Sequence, residues 1–594
     1  MALYNGILVN SNLRRASQDS GHVLNRVFAM PRTLLFSLLI ILLRPALGAA
    51  ASVASADELQ VAGCAAQTPS SQTPSSQTPS SQTPSSQALQ AEGVRIRRIM
   101  FSPSNIFDET KPGERTGLFK LANRLHIKTK VGTLRAQLLF TEGDLYSDRV
   151  LQETARNLRT LRYLREPVLT PVCYTPGFVD VLVQTRDVWT LAPTLTFGRK
   201  GGNNATSFGI EDNNFLGYGK VLEVSRRSDR KRDSSNLVYR DPNLAFGRWT
   251  LDALLTNSSD GHNISARVEH PFFALDSRWQ AVFELSDFDG EQSRSVFGDE
   301  IDRYRQQSKQ GELGFGFSNG LVNGWSTRYF TGLRYEQQRF TALATSTLAV
   351  PTDRTLAYPF VRIEGIQDDF ATTFNQDQIG RTEDQEFGIN YSLELGMSLP
   401  VLGADRNQAL LRAKISDGLR LGEKDFLFLN AYADGRFIGG GENQRVGAGA
   451  RYFYRQSDRS SFYAALSGDY GRNLDAESPF VLGGENGLRA YPFDYQYGDR
   501  RAQLTLEQRV YTDWKPFQLF QVGAAAFIDV ARVWGDSAVP AENLGTLKDI
   551  GIGLRLGSLR AARANSLHID LAYPMDGRQA DRGLQLIVET RASF

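Results

Sequence analysis

The sequence predicts an all-β transmembrane barrel preceded by a small α/β domain, on three observations. An apolar export signal lies near the N-terminus. The last roughly 400 residues alternate apolar and polar positions, with no helical periodicity and no apolar run near the roughly 20 residues that a membrane helix needs. The chain ends on an aromatic residue, Phe594, a C-terminal barrel signal at the foot of an alternating strand. Composition agrees. Of 594 residues, 41% are hydrophobic, 10% are aromatic, 53 are Gly and 22 are Pro, a mixture suited to many pleated strands and turns. Mean hydropathy is −0.32, which an apolar outside and a polar lumen reconcile with a membrane location.

Charge and the rarer residues exclude other classes. Lys plus Arg (67) nearly cancels Asp plus Glu (65) for a formal +2, whereas a nucleic-acid surface needs a clustered basic excess. Only two cysteines, Cys64 and Cys173, are present, too few for a disulfide scaffold. The five histidines, His22, His126, His262, His270 and His568, never stand at a spacing that puts two on one helix face, so no metal site is expected. Gly483-Gly484 and Gly439 to Gly441 lack the following helix and Lys-Ser/Thr pair of a phosphate loop. No Gly-x-Ser-x-Gly elbow stands out either. The expectation is a protein without cofactor that is not an enzyme.

Residues 1–56 are the signal peptide region. Thr33 to Leu43 reads TLLFSLLIILL, with Arg32 before it, Arg44 closing it and a small-residue tract from Gly48 to Ala56 behind it. About 11 residues cannot span a bilayer and suit a secretory signal. Met30-Pro31-Arg32 makes the more ordinary start, so translation is expected to begin at Met30. Residues 57–92 are a disordered linker, in which Gln67 to Ser86 repeats Gln-Thr-Pro-Ser-Ser four times. The repeats have no hydrophobe to set against the entropy of ordering. Val61-Ala62-Gly63-Cys64 resembles a lipoprotein cleavage box, but the apolar run lies too far upstream, and Cys64 is expected to be unlipidated.

Residues 93–189 read as a β-α-α-β-β module. Val94 to Phe101 is rich in β-branched residues, although Arg97-Arg98 breaks strict alternation. Leu118, Leu121, Ala122 and Leu125 fall at the spacing of a buried helical stripe. In the second helix Ser147 is the N-cap, Tyr146 and Leu151 are placed for a hydrophobic staple, and Leu151, Ala155, Leu158 and Leu161 form the stripe. A hairpin follows, Val168 to Tyr174 and Phe178 to Thr185 about Thr175-Pro176-Gly177, with Val179, Val181 and Val183 on one face. Cys173 reads as a small core residue.

Residues 190–594 read as the barrel. From Ser566 to Tyr573, Leu567, Ile569, Leu571 and Tyr573 face one way while Ser566, His568, Asp570 and Ala572 face the other. In the last strand Leu584, Leu586, Val588, Thr590, Ala592 and Phe594 share a face, with Ile587 the one apolar residue opposite. Asp212-Asn213-Asn214, Asp241-Pro242-Asn243 and Pro271 to Asp276 mark turns about 30 residues apart, a spacing that fits strand pairs joined by short turns and longer loops. A soluble propeller would use the same alternation. The export signal favours a barrel, whose closure pairs every backbone polar group.

Three segments carry a resemblance. PFVLGGENGLRAYPF, QLTLEQRVYTDW and AAAFIDVARVWG, within residues 479–535, are similar to the sixth extracellular loop and following strands of the BamA/TamA superfamily of outer-membrane proteins, the bacterial surface antigen family. The family's loop motif Val/Ile-Arg-Gly-Phe/Tyr corresponds to Leu488-Arg489-Ala490-Tyr491, and its strand motif Phe-x-Asp-x-Gly to Phe527-Ile528-Asp529-Val530-Ala531. Ala490 and Ala531 stand where the family has Gly. FLGYG (Phe215 to Gly219), YRDPN (Tyr239 to Asn243) and PFFALD (Pro271 to Asp276) resemble its early barrel turns. The order of the small module resembles a POTRA domain, which implies a periplasmic edge strand open to β-augmentation. A spacer domain is the alternative.

The residues of the specific stretch read the same way. With Leu504 and Leu506 facing lipid, Glu507 points into the lumen, and with Ile528 and Val530 facing lipid so does Asp529. Two such carboxylates repel, and a guanidinium on a loop folded back into the barrel could serve both. The resemblance therefore assigns a loop-lock motif, Gly487, Leu488, Arg489, Ala490 and Tyr491, with Glu507 and Asp529 as lumen partners of Arg489 and with Phe527 and Asp529 as the strand motif. An exposed Arg489 beside two ordinary lumen acids is the competing reading.

The resemblance implies a barrel of about 16 strands in a Gram-negative outer membrane, with the POTRA-like module in the periplasm. It implies assembly, insertion or translocation of polypeptides, by β-augmentation of client strands and a lateral opening. Implied partners are outer-membrane lipids, unfolded outer-membrane or secreted clients, and accessory periplasmic or inner-membrane proteins at the module. A two-partner secretion pore exporting one dedicated partner and a passive porin-like barrel stand as alternatives.

Overall fold

The computed structural model describes residues 83–591, apart from 245–246 and 562–565. The signal region, most of the linker, Cys64 and Phe594 lie outside the described residues.

Val179, Val181 and Val183 share one face of a strand that becomes the centre of the small domain's sheet. Its elements are α1 (Ser86–Ala91), β1 (Arg95–Ser104), α2 (Gly117–Leu125), α3 (Val131–Arg135), α4 (Asp148–Thr160), β2 (Leu164–Thr175) and β3 (Phe178–Asp187). β3 lies between a parallel β1 and an antiparallel β2. The valines pack with Ile96, Leu134, Leu151, Leu158 and Tyr146 into one core. The break at Arg97-Arg98 is a β-bulge between Ile96 and Arg98. It lets both side chains reach the buried Asp180, with Arg97 Nε donating at 2.8 Å to Oδ1 and Arg98 Nη2 at 2.8 Å to Oδ2.

Two local expectations are corrected. The leucine stripe of α2 faces outward: Leu118, Leu121 and Leu125 are 68%, 50% and 64% exposed, while Phe119 and Asn123 are buried. Phe119 stacks on Phe107 with 4.1 Å between ring centroids, and Asn123 accepts from the Phe107 N–H at 3.1 Å and donates to its carbonyl at 2.9 Å. An aromatic stack and two satisfied backbone groups outweigh the leucines in choosing the inner face. Cys173 is disulfide-bonded and only partly buried. The register of β2 shifts between Val172 and Thr175 and Cys173 takes φ 51°, which turns its side chain away from the core position that alternation gives it.

Twenty strands form the barrel, from β4 (Leu191–Lys200) to Gln585–Arg591, each antiparallel to its neighbour, and the last closes on the first. The expected 16 strands are thus corrected to twenty. Sixteen rested on resemblance, whereas chain length and turn length set the count. Two-residue turns such as Gly201-Gly202 and Ser259-Asp260 use so little chain that the barrel region supplies four more strands. Exposed apolar side chains such as Leu195, Phe208, Leu466 and Ile552 form the outside, and the alternate positions, among them Arg509, Arg555 and Asp570, are buried within. Two short hairpins lie off the wall, Phe370–Phe374 with Thr382–Glu386 and Phe480–Leu482 with Gln496–Gly498.

The small domain seats on the turns at one mouth. In FLGYG, Gly217 O accepts from Lys130 N at 3.0 Å, and just before it Asn214 Nδ2 donates to Thr129 Oγ1 at 2.9 Å. Gly217 has φ +80°, and a Cβ there would lie 2.6 Å from Lys128 O, so the turn needs glycine twice over. In PFFALD, Asn157 Nδ2 donates to Phe273 O at 3.0 Å and Leu275 N donates to Glu153 Oε1 at 2.7 Å.

Candidate functional site

The loop 473–499 joins strands Ser460–Arg472 and Arg500–Tyr511 at the far mouth and folds back into the lumen. Leu488, Tyr491 and Tyr495 anchor it, buried against Ala531, Val533 and Leu547 of the wall. Tyr491 Oη donates to Lys548 O at 2.9 Å and Tyr495 Oη to Asp581 Oδ2 at 2.8 Å. Gly487, at φ +95°, makes the turn next to Gln503, whose side chain would stand 2.9 Å from a Cβ.

That turn delivers Arg489 to the wall. Its Nη1 donates to Glu507 Oε2 at 2.6 Å, its Nε lies 3.0 Å from Asp529 Oδ2, and its Nη2 donates to Asp529 Oδ1 at 3.4 Å. The guanidinium carbon lies 3.6 Å from the centroid of the Phe527 ring. Phe527 and Asp529 stand two apart on one strand face, so one supplies a π-surface and the other a carboxylate to the same cation. Thr505 Oγ1 braces Asp529 Oδ1 at 2.7 Å, and the N–H of Ala490 donates to Asp549 Oδ2 at 3.1 Å. Arg489 and Ala490 therefore stand buried with Glu507, Phe527 and Asp529, Leu488 and Tyr491 pack in a second buried cluster, and Gly487 is half-buried.

Both Gly-to-Ala departures have a seat. Ala490 packs with Phe527, Ala572 and Ile587, so the one apolar residue on the lumen side of the last strand covers the extra methyl group. Ala490 has no positive φ and needs no glycine. Ala531 packs within the Leu488 and Tyr491 cluster.

Sequence reasoning missed three members. Arg509 Nε donates to Glu507 Oε1 at 2.9 Å, Arg555 Nη2 lies 3.9 Å from Glu507 Oε2 and pairs through Nη1 with Asp570, and Asp549 caps the loop backbone. The signal was strand parity: 507 and 509, and 549 and 555, share the lumen face of their strands. The cluster is a non-covalent clamp, in which charge-assisted bonds in a water-poor lumen hold a loop to the wall.

No protein-family model and no curated protein matches the sequence. Solved structures do match. CdiB from Escherichia coli is 15% identical over 85% of this chain and 77% of its own, with a TM-score of 0.45. CdiB from Acinetobacter baumannii is 12% identical over 84% and 73%, with a TM-score of 0.44. BamA from Haemophilus ducreyi lacking POTRA domains 1-3 is 13% identical over 84% and 84%, with a TM-score of 0.34. The chain is similar to CdiB and BamA. The clamp described above is read from this chain's own residues.

Proposed function

We propose that the chain is an outer-membrane protein that inserts or translocates other polypeptides, with its POTRA-like small domain in the periplasm. The observation that carries this reading is the seam. Among the described residues, β4 and Gln585–Arg591 share one backbone partner pair, Arg199 with Val588, whereas Gln585–Arg591 shares seven with its other neighbour, Ser566–Pro574. A salt bridge from Lys200 Nζ to Glu589 Oε1 at 2.8 Å is the side-chain tie across the same seam. So short a pairing between the described seam strands suits β-augmentation by a client strand. The clamp at Arg489 supports the reading by holding the neighbouring wall rigid while the seam gives. Outer-membrane lipids and unfolded clients are the partners, accessory proteins would dock on the small domain, and the process needs no cofactor and no covalent chemistry.

Depletion of the protein, followed by quantification of the outer-membrane and secreted proteomes, tests the function, and a disulfide between Arg199→Cys and Val588→Cys tests the seam. The expected result is loss of several client barrels, reproduced by the closed disulfide and reversed by reductant. Loss of one secreted protein, unaffected by the disulfide, would replace this reading with the two-partner secretion pore. An unchanged proteome would leave a passive barrel.

A further inference from the structure

The hairpin Phe370–Phe374 with Thr382–Glu386 belongs to the loop between strands Arg354–Gln367 and Asn390–Ser398 at the small-domain mouth, yet its tip lies inside the barrel. Arg509 Nη1 donates to Gln376 O at 2.9 Å, and Tyr511 Oη donates to Asn375 O at 2.9 Å. Ile379 is buried against the wall. The wall is shaped for it: a Cβ on Gly557 would lie 2.5 Å from Ile379 Cβ, and no positive φ requires glycine there. The tip is braced from within. Glu383 accepts the N–H groups of Gln376 and Gln378 at 3.0 Å and of Asp377 at 2.9 Å, and Gly380 N donates to Asn375 Oδ1 at 2.7 Å. It is a preformed body in a fitted seat.

The small domain grips the same hairpin. Arg159 of α4 forks onto Asp384, Nε at 2.7 Å and Nη2 at 2.6 Å. Arg165 Nη2 of β2 donates to Gly380 O at 2.8 Å, and the Arg156 guanidinium lies 3.7 Å from the centroid of Phe370. At the inner end Glu507 binds Arg489 through Oε2 and Arg509 through Oε1. One carboxylate thus joins the loop that descends from the far mouth to the hairpin that rises from the near one.

We propose that Phe370–Glu386 is a plug of the lumen, held in place by the small domain and withdrawn when that domain moves. Its hold on the wall is hydrogen bonds from Arg509, Tyr511 and Arg455 to the carbonyls of Gln376, Asn375 and Phe374, one from Arg381 to Ala561 O, a 3.9 Å pairing of Arg451 with Asp377, and the Ile379 side chain on a glycine. Its hold on the domain is charged and partly open to water, so the domain is the handle. That a client is what moves the domain rests on the proposed function; the plug itself does not.

The test is the conductance of the full chain in planar bilayers, with a membrane-impermeant thiol reagent applied to Gln376→Cys from the small-domain side, and with heat-modifiable migration on a gel showing that each variant barrel is folded. Gly557→Val is expected to expel Ile379 and raise the open probability on the order of ten-fold. Asp384→Ala, which leaves the wall untouched, is expected to raise it as well and to speed labelling of Gln376→Cys. Folded Gly557→Val barrels with wild-type conductance and labelling would overturn the plug. A response to Gly557→Val with none to Asp384→Ala would overturn its control by the small domain. Conductance needs no client, so either failure leaves the proposed function standing, and a failure of client assembly leaves the plug standing.

Discussion

Arg489 does its work because three unlike groups converge on it: a carboxylate from each of two strands and the face of Phe527. Removing the guanidinium leaves Glu507 and Asp529 buried with one counter-charge fewer, a loss of about 3–5 kcal/mol when a buried pair is broken from one side. Arg489→Ala is therefore expected to lower the temperature at which the barrel's gel mobility shifts and to reduce function. Arg489→Lys keeps the charge but loses the fork, and is expected to fall between. Charge-neutral changes in the Gln67 to Ser86 repeats are expected to alter neither; equal behaviour of the two sets would remove the clamp from the mechanism. The two acids were legible in the sequence because parity points 507 and 529 inward, and the motif that meets them was legible through its resemblance to a family loop. Arg509 and Asp549 obeyed the same parity, but nothing in one dimension says which inward residues stand at the same height in a barrel.

At the scale of elements, an irregularity proved more informative than the regular pattern. Arg97-Arg98 spoils the alternation of β1, and the bulge it marks brings two guanidiniums onto Asp180. Burial alone would raise that carboxyl, but the hydrogen bonds and charges of Arg97 and Arg98 prevail and hold it below the usual carboxylate range. A carboxylate depressed in the folded state adds stability above its unfolded pKa, and that stability is lost as pH falls through the depressed value. Asp180→Asn is expected to weaken the domain by about 1 kcal/mol near neutral pH, the arginines being partly exposed, and to flatten its acid sensitivity. Hydrogen exchange over residues 164–187 in the full chain would read both effects. The α2 stripe misled for a related reason. Leu118, Leu121 and Leu125 and the pair Phe119 and Asn123 define rival faces, and only Phe107, brought up by the fold, decides between them.

For the whole molecule, the glycine-bearing turns couple barrel to domain. Gly217→Val would drive a side chain into Lys128 O while forcing an unfavourable φ, so it is expected to lift the small domain off its socket. Protease cleavage between domain and barrel should then quicken, with the barrel's heat-dependent migration kept. If both stay at wild-type values, the socket is not what seats the domain. FLGYG and PFFALD were visible as turns, but their role as sockets was not, because Lys128, Glu153 and Asn157 lie about 90 to 120 residues away in the chain. The twenty-strand count was likewise beyond the pattern, since alternation says that a segment is a strand and leaves the number that closes the ring to turn lengths and register.

The sequence by itself determined the class of element and the face of most barrel residues, because these follow from a period of two along a strand and from charges that cannot face lipid; a resemblance in the sequence pointed to Arg489, Glu507 and Asp529. Tertiary structure alone decided the closure at twenty strands, the one-pair seam, the seat of the small domain and the entry of Phe370–Glu386 into the lumen. Each of these depends on which distant segments meet, and that is fixed by the curvature of the closed sheet and the fit of side chains across it.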